Sequence, residues 1–217
     1  NIYTMLFFSN RNLSSNIVSD SVTSILSFGL HRTQNEMEKR NNLNMKVAGF
    51  STGYRTNRFL INANGAGYLF SCPLTKANEL YNAFAIRGKE WWNLSTDYSF
   101  TIKNIHLFGE AATDKNFNTA FINGALLALH RNLNLSLLYR KISPGYQAMF
   151  TTAFTENSKV NNETGFFIGI NLQPASTLKI DAFSDIYYFP WLKFRVGLPS
   201  NGHEQTLRIT YTPNRKT

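Results

Sequence analysis

Acidic and basic side chains recur on one side of several predicted β-strands, where they could form ion pairs or line a passage for a polar solute. Near the end of the chain, Asp185 precedes an aromatic, proline-containing turn, and Lys193 and Arg195 follow it. If that turn closes a hairpin, these opposite charges face each other across two strands. A second turn at Pro174 would bring Glu163 level with Asp185. The spacing therefore predicts a charged cluster of Glu163, Asp185, Lys193 and Arg195.

Two interpretations of this cluster stay open. The first is a structural ladder of ion pairs inside a barrel, because charges that leave water are usually paired. The second is a selectivity element for a polar solute. Further charged residues on the same predicted side would extend either arrangement: Asp97, Glu110, Arg140, Lys179 and Asp181.

The sequence carries no motif typical of a catalytic or metal centre. His31, His106, His130 and His203 stand on separate segments, without the helical spacing or cysteine partners of a metal site. No Gly-x-Ser-x-Gly or nucleotide-binding fingerprint occurs. We therefore predict no catalytic residue, no metal ligand and no cofactor. A hydrolase built on His106 and Glu110, which share one predicted strand face, is kept as an alternative.

The elements that position these charges are strands whose two faces differ. Between residues 176 and 187, Leu178 and Ile180 share one face, while Lys179 and Asp181 share the other. A two-residue period of this kind indicates extended strands, and it recurs along most of the chain. About fourteen strands are predicted, with turn residues between them. They lie near 1–8, 22–30, 44–55, 57–70, 81–88, 91–102, 104–113, 118–130, 133–141, 146–156, 163–172, 176–188, 191–198 and 204–212.

The composition indicates that the apolar faces of the predicted strands contact membrane lipid. Charged residues make up 16% of the chain, against roughly 25% in soluble domains, and aromatic residues make up 14%. No apolar run reaches the roughly 20 residues that a membrane-spanning helix needs. Strands with one apolar and one polar face can instead cross a bilayer as a β-barrel. We expect an all-β, antiparallel, up-and-down transmembrane β-barrel, one domain over 1–217, in a bacterial outer membrane.

Aromatic side chains gather near the ends of predicted strands. A ring with an apolar body and a polar tip favours the membrane interface. We therefore expect these residues to contact outer-membrane lipids and lipopolysaccharide: Trp91, Trp92, Tyr139, Tyr187, Trp191 and Tyr211.

One segment departs from the strand period. Thr33 followed by Glu36 fits a capping box and predicts a short loop helix near 33–41. The net charge of +9 would attract a polyanion. The basic residues are scattered, however, and form no tract typical of nucleic-acid binding. Both ends of the sequence look cut, so we expect a portion of a longer polypeptide and of a larger barrel.

Several short stretches carry a family resemblance: SFGLHRT at 27–33, EKRN at 38–41, LFGE at 107–110, LYR at 138–140, NETG at 162–165, YFPWL at 188–192 and YTP at 211–213. They resemble the C-terminal β-barrel region of large Bacteroidota outer-membrane proteins of the helix-hairpin-helix, competence-related group. The resemblance implies a barrel that follows helix-hairpin-helix motifs, with DNA or another polyanion as a partner of that N-terminal part. This sequence contains no such motif, so no residue here inherits a DNA contact.

These observations lead to three functional hypotheses. We expect an outer-membrane conduit, anchor or scaffold, linked to polyanion or DNA uptake by the resemblance and the positive charge. The first alternative is a soluble or surface-attached β-rich binding module, in which the apolar faces would form a core. The second is an outer-membrane hydrolase at His106 and Glu110.

Overall fold

The computed structural model describes residues 1–26, 30 and 32–213, and in this part of the chain twelve strands form one sheet. Every strand pairing is antiparallel except a single parallel contact between Val22 and Leu74. The prediction of an all-β, antiparallel fold is confirmed. The strands are β1 Ile2–Leu13, β2 Ser15–Val18, β3 Ser21–Ile25, β4 Leu43–Arg55, β5 Phe59–Leu74, β6 Gly88–Ile102, β7 Ile105–Asp114, β8 Thr119–His130, β9 Leu133–Ile142, β10 Glu163–Ala175, β11 Leu178–Phe189 and β12 Ser200–Tyr211.

Two short helical segments lie in loops. The helix α1 (Gln34–Glu38) begins after Thr33, whose hydroxyl accepts from the Glu36 amide at 3.3 Å. The Glu36 carboxylate accepts in return from the Thr33 amide at 3.1 Å, so the predicted capping box and loop helix are confirmed. A 3-10 turn occupies Leu80–Asn82. No helix among the described residues is long and apolar enough to cross a membrane.

The strands follow one another in space largely as they do in sequence. The order across the sheet is β1-β4-β5-β6-β7-β8-β9-β10-β11-β12, and β2 pairs with β3 beside it. From β4 onward each strand pairs with the next in the chain, as an up-and-down arrangement predicts. Within the described residues β1 and β12 do not pair with each other. The sheet formed by the described residues is therefore open and does not close into a barrel by itself.

Three predicted strands are wrong. The segment 81–88 is irregular until β6 begins at Gly88, and 146–156 is a loop without strand pairing. The segment 191–198 contains only an isolated bridge between Lys193 and Val196. The strand β2 was not predicted, and the count becomes 12 in the described part of the chain. The predicted strand 22–30 ends as β3 at Ile25; residues 27–29 lie outside the described residues, as do His31 and residues 214–217.

The connections differ sharply between the two ends of the sheet. At one end, called the turn end, the strands are joined by the short segments 56–58, 103–104, 131–132 and 176–177. At the other, called the loop end, the connections 14–42, 75–87, 143–162 and 190–199 are long, and only 115–118 is short. Short turns at one rim and long loops at the other are typical of outer-membrane barrels.

The two faces of the sheet differ as the alternation predicts. The face that carries Leu6, Leu94, Leu137, Ile168 and Leu207 in the register is called the bare face. Its apolar side chains are largely exposed. The opposite face, called the loop-covered face, packs against the long loops at the loop end. There β2 and β3 help to enclose a core of Val22, Leu43, Met45, Val47, Phe70 and Leu74.

Candidate functional site on the loop-covered face

A buried arginine lies between two buried carboxylates on the loop-covered face. Arg140 Nε donates to Glu163 Oε1 at 2.6 Å, while its Nη1 and Nη2 donate to the two oxygens of Asp185 at 2.9 Å each. All three side chains are almost fully removed from solvent. Charge-assisted, two-pronged bonds of this kind fix the arginine in one orientation. The cluster therefore ties together β9, β10 and β11.

A glycine on the middle strand leaves room for Arg140 to reach Asp185. Gly165 on β10 lies opposite both Arg140 on β9 and Tyr187 on β11. A Cβ atom added at Gly165 would lie 2.4 Å from Arg140 Cζ. The missing side chain thus leaves the space through which the guanidinium passes over β10 to reach Asp185.

Glu163 also holds the long loop 143–162, which is called the crossing loop. Its carboxylate oxygens accept from the backbone amides of Glu156 at 3.1 Å and Asn157 at 2.9 Å. In the same loop, the Phe154 ring lies 5.4 Å from Arg140 Cζ. The Arg140 cluster therefore fastens one limb of the crossing loop to the sheet.

A second buried carboxylate holds the other limb. Asp114, at the end of β7, accepts from the backbone amides of Asn116 at 2.9 Å, Asn118 at 3.0 Å and Gln147 at 3.0 Å. The Gln147 carbonyl accepts in turn from Trp91 Nε1 at 3.0 Å. One aspartate thus closes the β7–β8 turn and docks the crossing loop.

The crossing loop reaches still further across the sheet. Tyr68 on β5 donates its hydroxyl proton to the Met149 carbonyl at 3.3 Å, and Arg11 on β1 places its Cζ 5.0 Å from the Phe150 ring. Together with Glu163, these contacts extend from β1 to β10. Burial, with the negative charges of Glu110 and Asp114, raises the pKa of Tyr146 in this loop to about 12. The loop therefore spans the face that would line the interior of a barrel.

The predicted charged cluster is only partly assembled. Glu163 and Asp185 come together through Arg140, whereas Lys193 and Arg195 lie in the loop 190–199. Lys193 Nζ is 3.4 Å from the centroid of the Phe189 ring, and Arg195 Cζ is 5.0 Å from that of Phe194. Neither forms an ion pair with the described residues. Arg140 was a candidate for this face in the sequence, but only the register across three strands identifies its partners.

The remaining charged candidates also lie on the loop-covered face, nearer the turn end. Asp97 accepts from the side-chain amides of Asn62 at 2.8 Å and Asn64 at 2.7 Å. Glu110 lies directly opposite Asp97 in the register. Lys179 Nζ and Asp181 Oδ2 are 3.3 Å apart on an exposed part of the sheet. These groups follow the predicted face but are spread along it, separate from the Arg140 cluster.

The six interface aromatics divide between three locations. Trp92, Tyr139 and Tyr211 lie on the bare face, while Trp191 lies in a loop. Trp91 and Tyr187 are on the loop-covered face, and Trp91 is only 3% exposed. Consecutive residues of a strand point to opposite sides, so Trp91 and Trp92 cannot share an interface. The predicted lipid contact is therefore wrong for the buried Trp91, and it stays a prediction for the other five aromatics.

The described residues do not assemble the alternative hydrolase pair. His106 and Glu110 share a face but are four residues apart on one strand, which separates them by about 13 Å. His106 Nδ1 instead lies 2.8 Å from Thr101 Oγ1. No group of His, Cys, Asp or Glu that could hold a metal ion occurs in the part of the chain that the structure describes.

The crossing loop and the buried carboxylates that hold it therefore form the candidate site. Comparison of the chain with protein-family models and with curated proteins finds no match, so its interpretation rests on this geometry.

Proposed function

We propose that this chain forms part of the wall of an outer-membrane β-barrel, acting as an anchor or as a conduit whose interior the crossing loop narrows. The observation that carries the proposal is the bare face. From the turn end to the vicinity of the loop end, it presents apolar and uncharged side chains. Its charged residues, Lys46, Glu90 and Lys141, all lie near the loop end.

The exposure of this face supports lipid as its solvent. Leu6 is 76% exposed and Leu207 is 68% exposed, although both are large aliphatic residues. Soluble monomers rarely expose an apolar patch beyond a few hundred Å². The long strands span 10 to 16 residues, and about 9–11 tilted residues cross a bilayer. A membrane would cover the bare face without any further protein element.

The two edge strands of the sheet would need strand partners in a membrane. Unpaired backbone N–H and C=O groups are costly in lipid, so β1 and β12 must find strand partners there. Further strands of a larger barrel would provide them. A link to uptake of DNA or another polyanion, carried by a different part of the polypeptide, is supported by the net charge of +9 and by the family resemblance.

Fractionation tests the membrane location. After expression in a bacterium with an outer membrane, the protein should stay with that membrane through a carbonate wash. Release into the soluble fraction would support the alternative, a soluble or surface-attached β-rich binding module.

Conductance separates the conduit from the anchor. In planar bilayers, we expect replacement of residues 148–155 by a short Gly-Ser linker to raise the single-channel conductance, because the crossing loop would no longer span the polar face. A Gly-Ser insertion at the turn 131–132 is the matched control and should leave the conductance unchanged. If the wild type and both variants are silent, the conduit is excluded and the anchor remains.

A further inference from the structure

Three loops that are distant in sequence line a cavity at the loop end. The connections 75–87, 143–162 and 190–199 line a space of about 580 Å³, which is called the three-loop cavity. Ligand sites for small molecules typically measure roughly 300–1,000 Å³. The size is therefore that of a small-molecule site rather than that of a groove along a polymer.

The walls of the three-loop cavity are held by specific contacts. Trp191 Nε1 donates to the Leu80 carbonyl at 3.2 Å, across two of the loops. The Trp191 backbone also exchanges two hydrogen bonds with the side chain of Asn162, at 2.7 and 2.8 Å. The rings of Phe84 and Trp191 meet edge to face at 5.5 Å. Contacts between all three loops thus pre-form the cavity.

The lining combines aromatic rings with amide side chains. Tyr81 and Phe194 meet edge to face at 5.5 Å, and Phe194 remains 64% exposed. Gln147 and Asn161 add amide groups to the lining. Aromatic faces pack on the C–H faces of sugar rings, and amides both donate to and accept from hydroxyl groups. This mixture favours a saccharide over a purely apolar ligand.

The charges of the cavity favour an acidic saccharide. Lys159 and Lys193 line it together with a single carboxylate, Glu156. The Lys159 ammonium group has no ion pair or hydrogen bond to any described side chain. A carboxylate or phosphate of a ligand would supply a counter-charge for Lys159.

We infer that the three-loop cavity binds a short acidic saccharide, with its ring against Phe194 and its anionic group at Lys159. A nucleic acid would need aromatic stacking platforms along a basic groove that follows its backbone. The size of the cavity and its amide-rich lining fit a saccharide better.

The test uses the whole chain in detergent micelles and isothermal titration calorimetry. The probes are a dimer of galacturonic acid, the neutral dimer of galactose, and a short single-stranded oligothymidylate. We expect the acidic dimer to bind at least roughly tenfold more tightly than the neutral one, a difference that a single charge-assisted contact can supply.

Two variants locate the ligand. Lys159→Gln should abolish the preference for the acidic dimer, and Phe194→Ala should weaken both dimers. Lys103→Gln, at the turn end, is the control and should leave both affinities unchanged. The inference is overturned if neither dimer binds, if both cavity variants bind as the wild type does, or if oligothymidylate binds more tightly than the acidic dimer. These results are independent of membrane fractionation, so this inference and the proposed function can fail separately.

Discussion

Arg140 binds Asp185 through two parallel hydrogen bonds of 2.9 Å that pass over the intervening strand. Because β9 and β11 are not neighbours, this ion pair connects strands that share no backbone hydrogen bonds. Glu163 adds a third charge and extends the connection to the crossing loop. Sheet stability and loop position are thereby coupled through one guanidinium group.

Removing that guanidinium should be strongly destabilising. Arg140→Met leaves Glu163 and Asp185 buried without a counter-charge, and we expect a loss of roughly 3–5 kcal/mol in the free energy of unfolding. Urea unfolding of the detergent-solubilised protein measures the loss. Arg58→Met, at an exposed turn, is the control. Adding Glu163→Gln and Asp185→Asn to Arg140→Met should restore part of the stability, whereas no recovery would mean that packing rather than charge dominates.

Gly165 should tolerate no side chain. In Gly165→Ala the new methyl group would meet Arg140 Cζ at 2.4 Å, so the guanidinium must move away from Asp185. We expect a loss of about 1–3 kcal/mol from this overpacking. Gly67→Ala is a matched control on the bare face, where the nearest atom to an added Cβ is 3.9 Å away. Equal unfolding free energies for the two variants would contradict this account of Gly165.

An arginine substitution on the bare face should show whether this face contacts lipid or water. Ile168, 37% exposed, lies in the middle of β10. In lipid, Ile168→Arg should cost about 2–4 kcal/mol, falling to about 0–1 kcal/mol for Thr119→Arg near the loop end. In water, both changes at exposed positions should stay within about 0.5 kcal/mol. The amount of each variant assembled in the outer membrane measures the effect, and equal assembly of the two variants would argue against lipid contact of the bare face.

Tyr146 should make the docking of the crossing loop sensitive to alkali. Its pKa is raised to about 12 in the folded protein, chiefly by burial, from an ordinary value of 10.0. The folded state therefore favours the protonated phenol. This stabilisation is complete below about pH 10 and is lost as the pH rises toward 12.

Absorbance of tyrosinate during an alkaline titration checks this prediction. Subtracting the curve of Tyr146→Phe from that of the wild type should leave one group that titrates near 12. The unfolding free energy of the wild type should fall more steeply than that of the variant over the same range. A difference curve centred near 10 would show that the phenol is not buried in solution.

The alternation of apolar and polar residues predicted most of the strands, because this two-residue period depends only on the residues within each strand. Ile168 and Ile170 oppose Gly165 and Gly169 in the sequence as they do in the structure. The same rule failed at Phe194, which alternates with its neighbours like a strand residue. Phe194 instead packs on Tyr81 of another loop, and alternation carries no information about such contacts.

The candidate site was harder to predict because its contacts cross strands. Asp185 was expected to meet Lys193 or Arg195 across a hairpin, but the residue opposite it on the next strand, β12, is Glu204. Arg140 reaches it from two strands away, over a glycine. The register of β9, β10 and β11 decides this pairing, and turn residues define that register only loosely.

In the part of the chain that the structure describes, the main path of the sheet contains ten strands, and this even number has a consequence for assembly. The first of them, β1, runs from the turn end to the loop end, whereas β12 runs from the loop end to the turn end. The two unpaired edge strands are therefore antiparallel to each other. Antiparallel pairing between these two edge strands, within one polypeptide or between adjacent copies, would keep the apolar side chains on one continuous surface and the long connections at one end of the assembly.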